Sequence, residues 1–236
     1  MMARKRRGAK PKKRKKAARK MAKKAGKKPV EKAATAAGLE EYYPLVDGRI
    51  YRYDFQSAEW PYNNVMTIKT KNVKSAGGKT TADWEETFPD PDDPESHPVV
   101  RVWKAERSAE GVKERWPNVG WEYWAIRTPL RKGTSWERDD GTTFTIASIK
   151  AKVKVPAGEY ANCLHVTYWN EDIGSGEVHY AKGVGMVRSS QRGEWEPYDY
   201  ELASVSQGPR GEAALRATAA RGGRRFMAQK GQRQSA

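Results

Sequence analysis

Ala151-Lys152-Val153-Lys154-Val155-Pro156-Ala157-Gly158-Glu159-Tyr160 is the stretch that decides the fold. In an extended chain Val153 and Val155 fall on one face and Lys152 and Lys154 on the other, the period-two pattern of a half-buried strand. Pro156-Ala157-Gly158 breaks the run, and a second apolar run starts at Tyr160 and continues to Trp169. Residues 146–169 therefore read as a β-hairpin.

Working outward, the same signature recurs. Asp54–Phe55, Val65–Lys71, Val99–Lys104, Trp121–Ile126 and Thr142–Ile149 read as strands, the last following the turn signal Asp139-Asp140-Gly141. Glu177–Tyr180 and Gly185–Arg188 read as a pair around a turn at Gly183. Prolines 44, 61, 117, 129, 156 and 197 punctuate the same region, and Pro89-Asp90-Pro91-Asp92-Asp93-Pro94 is too proline-rich for a central strand. The expected fold is all-β: an antiparallel β-sandwich or a partly open barrel.

Charge divides the 236 residues into three parts. Residues 1–32 carry 17 Lys and Arg against one acid, Glu31, while 207–236 carry seven basic residues against Glu212. Residues 33–206 sum to −6, so the net +16 of the chain describes its ends rather than its middle. Segment 1–38 has no aromatic residue, and all nine Trp and eleven Tyr lie between Tyr42 and Tyr200. A Lys/Ala/Gly segment cannot bury enough apolar surface to offset roughly 1–2 kcal/mol of backbone entropy per residue. The expected organisation is a disordered basic arm (1–38), an antiparallel β-domain (39–206) and a basic, mostly disordered C-terminal arm (207–236). No run approaches the roughly 20 apolar residues of a membrane span. The single cysteine, Cys163, excludes a disulfide scaffold. A basic start without a following apolar run is not a secretory signal, so the expected location is cytoplasmic, nucleoid-associated.

Two segments echo each other. Pro44-Leu45-Val46-Asp47-Gly48-Arg49-Ile50-Tyr51 and Pro129-Leu130-Arg131-Lys132-Gly133-Thr134-Ser135-Trp136 share proline, leucine, glycine and an aromatic at equal spacing. Proline fixes φ, leucine plugs the core, glycine permits a positive-φ turn and the aromatic opens a strand. Together with Val155–Leu164 and Tyr180–Val187, these segments resemble a family of bacterial β-domains usually found in exported proteins and lipoproteins. That family shows a "YFPLxxGxxWxY" opening, a "VPAGxFxxC" hairpin and a "YYAxGVGxVK" strand. The resemblance spans 42–205 and implies a β-domain. It carries over no catalytic residue, and the basic arms and the lack of an export signal depart from it.

Candidate chemistry is sparse. His165 and His179 sit in neighbouring strands, and Glu177 shares a strand face with His179 at i, i+2, the residue types of a metal site. Histidine in a strand is more often solvated, and His97 lies in the proline-rich loop, so no metal is expected. Cys163 reads as a small core residue. Glu85-Glu86, Asp92-Asp93, Asp139-Asp140 and Glu171-Asp172 are adjacent pairs, which point to opposite faces of a strand and do not form a two-carboxylate hydrolytic site. Gly183-Val184-Gly185 lacks the third glycine and the helix of a phosphate loop. No catalytic residue and no cofactor is expected, and the chain reads as a non-enzyme.

The functional signal is the arms. Arg4, Lys5, Arg6 and Arg7, then Lys12, Lys13, Arg14, Lys15 and Lys16, then Arg19, Lys20, Lys23, Lys24, Lys27 and Lys28 form spaced cationic clusters, joined at the other end by Arg221, Arg224 and Arg225. Cations that neutralise phosphates release counterions and bind without reading sequence. The expectation is a β-domain tethered to DNA or RNA by these residues. The alternative is an interaction module whose Trp-rich β-core binds a sugar, lipid or protein partner, the arms serving only localisation.

Overall fold

The computed structural model describes residues 38–57, 64–89, 98–193 and 197–208. Apart from Gly38, Gln207 and Gly208, both basic arms lie outside the described residues. A short helix, α1 (Leu39–Tyr42), precedes twelve strands. They are β1 (Arg49–Ser57), β2 (Asn64–Ala76), β3 (Lys79–Phe88), β4 (Val99–Ser108), β5 (Gly111–Trp116) and β6 (Trp121–Arg127), then β7 (Ser135–Glu137), β8 (Thr143–Val155), β9 (Gly158–Asn170), β10 (Gly174–Ala181), β11 (Gly185–Arg192) and β12 (Tyr198–Gln207).

Every strand pairs antiparallel with its sequence neighbour, except that β6 does not pair with β7; instead the first strand pairs with the last. One twelve-stranded sheet results, ordered β6-β5-β4-β3-β2-β1-β12-β11-β10-β9-β8-β7. Its two edges, β6 and β7, meet through the Trp136 indole, whose Nε1–H donates to the Trp124 carbonyl at 2.8 Å. The sheet thus curls into a nearly closed barrel, and the sandwich alternative gives way because a single continuous ladder leaves no second sheet to face.

Alternation lines the lumen. Tyr51, Tyr53 and Phe55 point in from β1 while Arg52, Asp54 and Gln56 point out. From β3 the inward set is Ala82, Trp84, Glu86 and Phe88. Rings run across the first strands as a ladder: Tyr51 stacks on Trp84 at 5.7 Å, Trp84 meets Trp103 at 5.7 Å, and Trp103 stacks on Trp116 at 4.4 Å. With 150–250 Å² per ring, each fully buried aromatic contributes at most roughly 4–6 kcal/mol of transfer free energy. Tryptophan therefore supplies much of the lumen's filling. Trp84, Trp103 and Trp136 are buried, whereas Trp121 and Trp169 are exposed. The ladder bends where asparagine adopts a left-handed conformation, at Asn72 (φ 54) and Asn162 (φ 55), each beside a register shift.

Both echoed segments are corners with the same wiring. Arg49 N–H donates to Val46 O at 3.2 Å, and Thr134 N–H to Arg131 O at 3.1 Å. Gly48 (φ 75) donates to Thr70 O of β2 at 2.9 Å, and Gly133 (φ 88) to Ile146 O of β8 at 2.8 Å. Leu45 and Leu130 are buried, as are Tyr51 and Trp136. The barrel is thus two six-strand meanders, β1–β6 and β7–β12, each opened by the same corner.

Residues 39–45 close one end. Leu39, Tyr42, Tyr43 and Leu45 are buried, and the Tyr43 ring enters the lumen to lie against Trp84 (5.5 Å) and Tyr180 (6.1 Å). The segment is held by Gly183 N–H to Glu41 O (2.6 Å), Arg107 Nη1 to Tyr43 O (2.9 Å) and Tyr42 OH to Asn162 O (3.0 Å).

Candidate functional site

The lumen holds a cavity of about 210 Å³, whose lining residues Glu114 and Tyr180 meet Tyr43 of this plug. Its wall is assembled from strands distant in sequence: Glu114 of β5, Tyr123 of β6, Phe144 of β8, Tyr168 of β9, Gln191 of β11 and Tyr198 of β12, with Arg138 from the β7–β8 connection.

Period two explains why Glu114 faces in: Val112, Glu114 and Trp116 share one side of β5. Its carboxylate accepts from Tyr43 OH at 2.6 Å and from Tyr123 OH at 2.9 Å, and Trp116 Nε1–H donates to Tyr123 OH at 3.3 Å. Burial pushes the Glu114 carboxyl above its ordinary range, partly offset by these hydrogen bonds. Burial and the neighbouring Glu114 push the Tyr43 and Tyr123 hydroxyls well up, so both remain donors. The Arg138 guanidinium lies 4.4 Å over the Tyr123 ring and pairs with Asp140 at 3.0 Å, which leaves it as a flat cationic wall.

Tyr168 lies over Gly176, its direct partner on β10; any Cβ at 176 would collide with the ring. Glycine is therefore needed at this close approach. The Tyr168 hydroxyl sits 3.3 Å from both Gln191 Oε1 and Tyr198 OH. On the first meander's side of the lumen, Trp84 Nε1, Trp103 Nε1 and Glu86 Oε2 are buried without a hydrogen-bond partner among the described residues. Burial raises the Glu86 pKa, with Arg101 opposing.

The residues named from the sequence fare differently. The cationic positions of 1–32, together with Arg221, Arg224 and Arg225, lie outside the described residues, as does His97. Cys163 is fully buried, and burial pushes its thiol up. Of the acidic pairs, Glu85 faces out to Lys71 while Glu86 faces the lumen, the opposite faces expected of adjacent strand residues. His165 and His179 face each other across β9 and β10 with stacked rings, and His179 is only 7% exposed, which replaces the expectation of solvated histidines. Glu114 and Tyr168 were not singled out. The signal for Glu114 was a charged residue at the inward parity between Val112 and Trp116. That for Tyr168 was the glycine opposite it, which sequence alone does not pair.

No family model matches the chain, and no curated protein matches it. Two solved structures do. A Bacteroides fragilis protein described as a "putative exported protein with YmcC-like fold" aligns at 17% identity over 70% of this chain and 99% of its own, with a TM-score of 0.51. A "putative lipoprotein" of Parabacteroides distasonis aligns at 13% identity over 73% of this chain and 99% of its own, with a TM-score of 0.47. At these identities the likeness concerns the fold. It agrees with the resemblance to a bacterial β-domain of exported chains. It overturns the expectation of a cytoplasmic, nucleoid-associated location, because the matched fold belongs to a chain described as exported.

Proposed function

We propose that this domain is a non-catalytic binding module whose lumen takes a small, neutral, hydroxyl-bearing molecule of sugar-like chemistry, the basic arms serving localisation. The observation that carries this reading is the 210 Å³ cavity walled mostly by rings, with Thr142, Ser189 and Gln191 as neutral polar groups beside the charged Glu114 and Arg138. Aromatic faces suit the C–H faces of a sugar ring, and Tyr168, Tyr198 and Gln191 offer convergent donors and acceptors. A non-catalytic role is supported by the lining itself. Among the described residues its one carboxyl is Glu114, its one serine is Ser189, and it has no histidine or cysteine. Two-carboxylate hydrolysis and nucleophile–base catalysis both need a second group.

The test is calorimetric titration of the full chain with a panel of neutral mono- and disaccharides. A saturable response from at least one, weakened about tenfold by Tyr168→Phe through loss of one hydrogen bond, is expected. Binding of a fatty acid or a peptide with no response to any sugar would overturn the reading.

A further inference from the structure

The outer wall carries a second cluster, on the opposite face of the sheet from the cavity. Val166, Tyr168, Val178 and Tyr180 of β9 and β10 line the lumen, and the residues between them point away from it. There His165 stands directly across from His179, and Glu177 two residues before His179. The imidazole rings stack at 4.1 Å with 10° between their planes, and His165 Nε2–H donates to Glu177 Oε2 at 2.9 Å. One ligand atom from each of the three lies within 4.8 Å of the others.

We propose that His165, Glu177 and His179 bind one divalent transition-metal ion, of the zinc class, on the outer wall of the barrel. Two imidazoles and a carboxylate form a three-ligand set that suits Zn²⁺ and leaves a fourth position for water. The independent support is His179 Nδ1, which is buried and has no hydrogen-bond partner among the described residues. Such an atom normally costs about 1–3 kcal/mol unless something meets it.

The geometry says what must move. A tetrahedral ion at 2.0–2.1 Å from each nitrogen holds its ligand atoms roughly 3.3 Å apart. The lone pairs of parallel rings do not converge, so the stack opens by side-chain rotation, and the ion replaces the proton shared by His165 and Glu177. The neutral His165 ring then carries its proton on Nδ1, so that Nε2 presents a lone pair to the ion. Arg188 stands opposite His179, but its guanidinium lies 3.5 Å from Asp199 and 3.6 Å from Glu201, which offset its charge.

The experiment uses the full chain, stripped with chelator and titrated calorimetrically with ZnCl2. Uptake of one ion per chain is expected, weakened ~10- to 100-fold by His165→Gln or Glu177→Gln and unchanged by His97→Gln. Near-UV circular dichroism checks that the variants fold. Absence of uptake by the parent chain, or equal affinity in the folded His165 and Glu177 variants, would overturn the proposal. Should a variant not fold, Co²⁺ added to the parent decides. Strong visible bands of a four-coordinate ion support the site, and the faint spectrum of the hydrated ion removes it.

Discussion

The two six-strand meanders open with the same corner and end differently. In the first, the corner leads into nine-residue β1, which pairs on one side with β2 and on the other with β12 over nine residue pairs. In the second, it leads into three-residue β7, which pairs with β8 alone. The Asp139-Asp140-Gly141 turn cuts β7 short, so β6 is met by one indole hydrogen bond instead of a ladder. The cavity borders this seam: Tyr123 and Ala125 come from β6, and Arg138 and Phe144 follow β7. A repeated sequence thus produces one sealed junction and one held by a side chain, and the binding candidate sits at the weaker.

The largest expected effect tests whether the corners are equivalent. Leu45→Ala and Leu130→Ala should each cost about 2–5 kcal/mol in chemical denaturation, with Leu130 at the high end because it is fully buried. A cost well below 1 kcal/mol at either would show that its corner is not a core plug. Next, Gly48→Ala and Gly133→Ala should each lose about 1–2 kcal/mol, since both sit at positive φ. At Gly133 nothing crowds the added methyl, so strain of the backbone is the whole effect there. Trp136→Phe keeps most of the ring and removes the seam bond. About 1 kcal/mol should be lost, with faster amide exchange in β6 and β7 but not in β1 and β12. Uniform acceleration around the barrel would erase the distinction between the junctions.

The smallest effect concerns the inward carboxyls, Glu86 and Glu114, both from the first meander. Burial raises the Glu86 pKa above its ordinary 4.5. In the window between that value and the raised one, the folded chain binds more protons than the unfolded. Its contribution to stability is therefore full below the unfolded pKa and is lost as pH rises through the folded one. Glu86→Gln should flatten this slope and raise the melting temperature at pH 7; a steeper slope in the variant would reverse the assignment.

Sequence reading succeeded where alternation was clean and failed where a lumen residue was charged. The 146–169 hairpin matches β8–β9, because Val153 and Val155 bury while Lys152 and Lys154 do not. Lys79–Phe88 does not read as a strand although Ala82, Trp84 and Phe88 alternate, because Glu86 occupies the third of its four inward slots. β12 was passed over as well, though Tyr198, Tyr200 and Leu202 share its inner side. The candidate site was illegible for a different reason: its wall comes from seven strands spread over residues 114–198, and only barrel closure brings them together.

The pairing of β1 with β12 has a consequence for biosynthesis. Arg49 waits for Gln207, so a chain emerging from the ribosome holds the lateral edge of β1 open until residues 198–207 of β12 have been made. Such long-range closure is slow and leaves an aggregation-prone border exposed meanwhile. A chaperone that shields extended edges would therefore raise the yield of this protein more than one acting after release.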